Sequence, residues 1–197
     1  RARGEYRKLD EYHLMDCYYT LEDYTQAAHY ARLARDSADR PVGSEDRPHA
    51  VLLQSLILAG AEDAEIEDTY RTACAAFPEK ADFPLIYGTY AWEAGYYARA
   101  RKAYMVGIRL HEEYYREGDY SGILAPSAYM RLGEAAELAG DADGAAALYE
   151  RALRQRPHYA PALARFARLL RAKGADDAAV IEALNAHYDE TADAAFL

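Results

Sequence analysis

The sequence predicts an all-α protein, a right-handed superhelical solenoid of stacked helix–turn–helix repeats. Three observations carry that expectation. A complete unit of about 34 residues, with two apolar helical faces, a turn glycine and a closing proline, occupies Pro126–Tyr159. Gly88, Gly95, Ala100 and Tyr104 stand in the same register as Gly133, Gly140, Ala145 and Tyr149. Alanine-rich helical segments dominate, and no stretch alternates with a clean strand period. Repeats bury a continuous core only by stacking, so the chain is read as one solenoid over residues 1–197.

The units follow in order. Residues 8–41 make a first, weaker repeat, with Leu14, Tyr18, Ala27, Tyr30, Ala31 and Ala34 on its faces and Glu22-Asp23 at its turn. Pro41, Gly43 and Pro48 among charges read as an exposed connector. The second repeat spans about 47–80. Its first helix, Ala50 to Ala59, is apolar nearly all round, as a helix buried between neighbours should be. Gly60 ends it, and Tyr70, Ala73 and Pro78 fit the second half. The third repeat, 81–114, has Asp82 as an expected cap and Pro84 in its first turn. Its second helix overruns through His111, Tyr114 and Tyr115, and Gly118 to Gly122 should break it. This insertion, 115–125, is the chief departure from a uniform stack. It is expected to add about two turns of helix, with Tyr114 or Tyr115 clustering against Ile123 and Leu124. Pro126 is expected to open the central repeat, 126–159, in which Gly140 turns, Asp141 or Asp143 caps and Pro157 stops the chain. The fifth unit, 160–193, has Leu163, Phe166, Ala167 and Leu170 on one face, then Gly174 and the cap Asp176. The tail from Thr191 to Leu197 looks like the start of another helix.

Composition excludes several roles. The net charge of −10 repels phosphate backbones, so nucleic acid is not an expected partner. No apolar run approaches the ~20 residues that cross a bilayer, and no signal-peptide pattern is present, so no membrane insertion and a cytoplasmic location are expected. The chain opens at Arg1 and not at a methionine, so a fragment or a processed product is expected. Cys17 and Cys74 lie far apart on helix-like segments and read as small buried apolar residues, not as a disulfide or a zinc site. His111-Glu112-Glu113 lacks the second histidine of a metalloprotease helix, because Tyr115 holds that place. With no phosphate loop and no nucleophile elbow, no enzyme, cofactor or metal is expected in this segment.

The unit Pro126–Tyr159 resembles a tetratricopeptide repeat (TPR), and the register above extends the resemblance over nearly the whole chain. In that family the first helices line a concave surface that receives a peptide or a partner helix. The resemblance therefore implies a non-catalytic module binding protein or peptide. Its inward positions map to Tyr12, Asp16 and Tyr19, then Ser55 and Leu58, then Leu85, Thr89 and Trp92, then Met130, Glu134 and Glu137, then Arg168 and Arg171. Tyr12, Tyr19 and Trp92 have two readings: rigid aromatic area for a ligand, or lateral packing between helices, with Trp92 against Leu58. Arg165, Arg168 and Arg171 are spaced by three along one side of a helix. They suit carboxylate recognition, but register puts Glu134 and Glu137 beside Arg168 and Arg171, and inter-repeat salt bridges are the first reading. The chaperone-binding clamp of the family uses asparagines on first helices, whereas the single asparagine here, Asn185, falls on a second helix.

DCYYTLEDYTQAAHYARLA, AFPEKADF, RLHEEYY and YERALRQRPHYAPAL resemble the TPR region that follows the catalytic domain of some bacterial inverting family-2 glycosyltransferases. That resemblance implies a segment that positions an acceptor, or pairs subunits into a homo-oligomer, for chemistry done elsewhere. The Asp-x-Asp-bearing domain of that family is absent from this chain.

Overall fold

The computed structural model describes residues 10–37 and 42–187. The start of the first expected repeat, Pro41 and the tail from Thr191 lie outside the described residues. Ten helices pack pairwise among the described residues. They are α1 (Asp10–Thr20) with α2 (Tyr24–Asp36), α3 (Arg47–Leu58) with α4 (Asp63–Ala76), and α5 (Asp82–Glu93) with α6 (Tyr97–Tyr114). Then come α7 (Ser121–Leu138) with α8 (Ala142–Gln155), and α9 (Ala160–Ala172) with α10 (Asp177–Asn185). The first helices also touch one another in sequence, α1 on α3, α3 on α5 and α5 on α7. The hydrophobic core is one continuous cluster from Tyr12 to Leu169.

The same local chemistry ends four of the first helices. Gly60, Gly95, Gly140 and Gly174 all have positive φ. The next amide donates to a carbonyl five residues back, Ala61 to Leu56, Tyr96 to Ala91, Asp141 to Ala136 and Ala175 to Leu170. This six-to-one bond satisfies a carbonyl that the helix end leaves open. In the first pair Glu22 takes the glycine's place at φ 61°, and Asp23 donates to Tyr18. Asp23, Asp141 and Asp176 cap the helices that follow, accepting from Gln26, Gly144 and Ala179.

Close helix contact rests on glycine facing tyrosine. Tyr149, fully buried, lies against Gly133, and buried Tyr104 lies against Gly88. The helices can approach only because neither glycine carries a Cβ.

Three expectations need correction. Asp82 makes no cap bond; it is the first residue of α5 and is buried, and that burial holds its carboxyl above the usual range. Pro126 does not open a helix, because α7 already begins at Ser121 and Pro126 lies inside it. Starting earlier lets Ser121 bond buried His111 at 3.1 Å, which ties α7 to the end of α6. The expected cluster at the insertion is also different. Tyr115 packs on Gly122 and on the His111 ring, and Leu124 joins the core, but Ile123 is 56% exposed.

Candidate binding groove

The inward positions do not form one surface. Ser55, Leu85 and Met130 are buried in the core and present nothing to a partner. Their helices are covered on both sides by neighbours, so the inward register becomes interior there. Ser55 Oγ makes no hydrogen bond among the described residues. Thr89 Oγ1 is engaged by its own helix, donating to the Leu85 carbonyl at 3.0 Å.

The remaining positions separate into two groups. Near the start of the chain, Tyr12 is buried and its hydroxyl donates to the Ser44 carbonyl at 3.4 Å. Asp16 pairs with Arg47 at 2.7 Å. Tyr19 is half-buried, with its ring edge-on to Tyr24. It lines a cleft of about 360 Å³ with Arg47, Asp119 and Tyr120.

The second group borders a larger groove of about 750 Å³ between α5, α6, α7 and α9. Trp92 is half-buried at its wall, edge-on to Tyr97 at 5.1 Å and beneath the Arg131 guanidinium at 5.2 Å. A cation over an indole face is attracted by the ring quadrupole. Leu58, the expected neighbour of Trp92, is 53% exposed. Buried Glu134 accepts from Arg131 at 2.9 Å and pairs with Arg165. Glu137 accepts from the Tyr149 hydroxyl and faces Arg168 at 3.4 Å. Burial, then the bond to Glu137, pushes the Tyr149 phenol above its usual range. Arg171 turns away and pairs with Asp177 at 2.7 Å.

The inter-repeat salt bridges are therefore present with a shift of one turn. Glu134 takes Arg165, Glu137 takes Arg168, and Arg171 is left to its own unit. The cause is packing: α9 packs on α8 and α10, and it reaches α7 through long charged side chains. Seven groove residues fall outside the inward register: Tyr97, Ala98, Arg101, Arg131, Ala135, Leu138 and Arg165. The sequence signal for Arg131 was its three-residue spacing from Glu134, which makes such pairs helix-surface neighbours. Leu138 is 88% exposed at the end of α7, a place that helical periodicity assigns to no face.

Chemically the groove offers an aromatic wall, one exposed leucine and four guanidinium groups against two carboxylates. Among the described residues, no group of three or more His, Cys, Asp or Glu is placed to hold a metal ion. Among them, too, no helix is long and apolar enough to cross a membrane.

No protein-family model matches the chain, and no curated protein matches its sequence. Solved structures do resemble it. Two crystal structures of MamA superpose with TM-scores of 0.64 and 0.63 at 16% and 17% identity, over 93% and 94% of this chain and 98% and 93% of theirs. The crystal structure of yeast Tom70 gives a TM-score of 0.66 at 20% identity, covering 95% of this chain. The match takes in 36% of Tom70, so the chain spans about a third of that protein. At such identities the likeness is one of fold, and the fold is a TPR-like all-α stack of paired helices.

Proposed function

We propose that this chain is a non-catalytic interaction module that holds a segment of another protein in the groove between α5, α6, α7 and α9. The observation that carries this reading is the half-buried Trp92, held beneath Arg131 at the wall of a 750 Å³ groove. A rigid aromatic side chain, and an arginine already held by Glu134, give much contact area at small entropic cost. Glu134 fixes Arg131 and Arg165 in place, so their remaining N–H donors are preorganised. A ligand that suits these groups sets an apolar side chain against Trp92 and Leu138. It sets a carboxylate against Arg165 and Arg168, where bidentate bonding is available. The aromatic pair near the start of the chain, Tyr12 and Tyr19, is assigned to packing and not to this ligand.

Trp92 is the single tryptophan of the chain, so its fluorescence reports the groove directly. Peptides selected from a random display library on the immobilised protein would be titrated against it. Binding that shifts the tryptophan emission, and that weakens at least about tenfold in Trp92→Ala and in Arg168→Glu, supports the reading. Peptides that bind without moving the emission, and bind both variants as well as the parent, would refute it.

A further inference from the structure

The chain is strongly acidic, with 33 acidic against 23 basic residues, so its cations find counterions easily. Arginines on α2, α3, α4, α7, α8 and α9 each meet a carboxylate. The outer face of α6 is different. Arg101, Lys102 and Arg109 are exposed, and among the described residues no carboxylate lies within ion-pair distance of any of them. Tyr97, Arg101, Met105 and Arg109 follow one another at intervals of four, which sets them in one row along the helix. The row is about 18 Å long at the helical rise of about 1.5 Å per residue. Lys102 and Val106 make the adjoining row. Between the rows runs a shallow groove of about 480 Å³. The apolar members of the first row are exposed: Tyr97 by 60% and Met105, which also lines this groove, by 55%.

We infer that the outer face of α6 is a second docking surface, whose occupant is an acidic amphipathic helix of a partner protein. Charge decides the occupant. Three cations left without counterions on an acidic molecule attract carboxylates, and the surrounding negative field keeps phosphate polymers away. Shape agrees, because a row at four-residue spacing matches a partner helix with acidic residues at the same interval and apolar residues between them. Methionine adapts its unbranched side chain to whatever apolar residue meets it. The surface shares Tyr97 and Arg101 with the Trp92 groove but needs neither Trp92 nor Arg168.

The test is an array of synthetic helical peptides in which Glu, Lys and Leu are permuted over the same positions, probed with the labelled protein at low and moderate salt. The parent should retain members with Glu at four-residue intervals beside Leu, and salt should weaken them. The variant Arg101→Glu/Arg109→Glu, whose changes are exposed and whose melting is checked by circular dichroism, should lose these members by at least about tenfold and gain the Lys members. Trp92→Ala should keep them, which separates this surface from the groove. Three results would overturn the inference: binding without charge preference, an unchanged set in the Glu variant, or retention only of a polyphosphate control. Concentration-dependent self-association that the Glu variant abolishes, without peptide binding, would overturn it too and assign the face to a second copy of this chain.

Discussion

Replacing Gly133 by alanine adds one methyl group to a close contact between α7 and α8. A Cβ there would stand 2.5 Å from Cε1, 2.8 Å from Cδ1 and 3.0 Å from Cζ of Tyr149. The ring must retreat by about 1 Å to restore ordinary carbon–carbon separation. It has nowhere to go, because Tyr149 is fully buried and its hydroxyl is bonded to Glu137. Overpacking of this kind costs about 1–3 kcal/mol. Exchanging glycine for alanine inside a helix returns about 1 kcal/mol. The closeness of three ring atoms puts the cost in the upper half of its range, so a net loss of about 1 kcal/mol remains for alanine. Gly133→Leu should lose about 3 kcal/mol or more. In a chain of this length each kcal/mol is worth about 2–4 °C in the thermal midpoint. Thermal melting followed by circular dichroism measures this, and Gly88→Ala, against Tyr104, should move in the same direction. In a Tyr149→Leu background the ring is gone, and Gly133→Ala should become neutral or stabilising. If Gly133→Ala raised the midpoint of the parent, as it would on an open helix, the packing argument would be wrong.

Other consequences can be measured in the same way. Glu134→Gln keeps the side-chain volume but leaves Arg131 and Arg165 facing each other without a counterion; urea unfolding should show a loss of about 1–3 kcal/mol, reduced from a fully buried case because both arginines are about a third exposed. Burial holds His111 below its ordinary value of 6.5, with the Glu112 and Asp119 charges acting in the opposite direction. Below pH 6.5 the unfolded chain therefore takes up a proton that the folded chain refuses, and stability falls with pH until the folded value is reached. Thermal midpoints between pH 7.5 and 5 should fall less in His111→Gln than in the parent; equal slopes would mean the ring is not held neutral by the α6–α7 joint. Burial pushes the Cys74 thiol up to about 11, whereas Cys17 is exposed. A chromogenic disulfide reagent should titrate one thiol quickly and the other only on unfolding, and two fast thiols would contradict the placement of Cys74.

Much of the fold was legible because its determinants are local. A glycine at positive φ, a capping aspartate two to three residues before the free amide it accepts from, and a proline past the last turn act within a few residues of each other. Gly140 and Pro157 could be read in place without knowing what lies beside them, and the cap could be narrowed to Asp141 or Asp143, of which Asp141 makes the bond. The recurrence of Gly88 and Tyr104 at the register of Gly133 and Tyr149 was legible too, but that each tyrosine lies against its glycine is decided by how the two helices pack. Cys17 follows no such local rule: a small apolar residue on a helix suits a buried place, yet here it is exposed.

The groove depended on distances that no local pattern encodes. Ser55, Leu85 and Met130 occupy inward positions of the register, yet each is buried by helices contributed from elsewhere in the chain. Arg165 and Arg168 find Glu134 and Glu137, one turn away from the expected partners, because α9 settles on α8 and α10 and leaves the arginines to span the gap to α7. A shift of one turn between neighbouring helices is about 5.4 Å. That exceeds the reach of an ion pair, so it decides which charges meet. It is set by the sum of all core contacts between the helices, which is why only the tertiary structure could place Trp92, Arg131 and Arg168 around one groove and, among the described residues, give Arg99 of α6 a carboxylate while leaving Arg101, Lys102 and Arg109 without one.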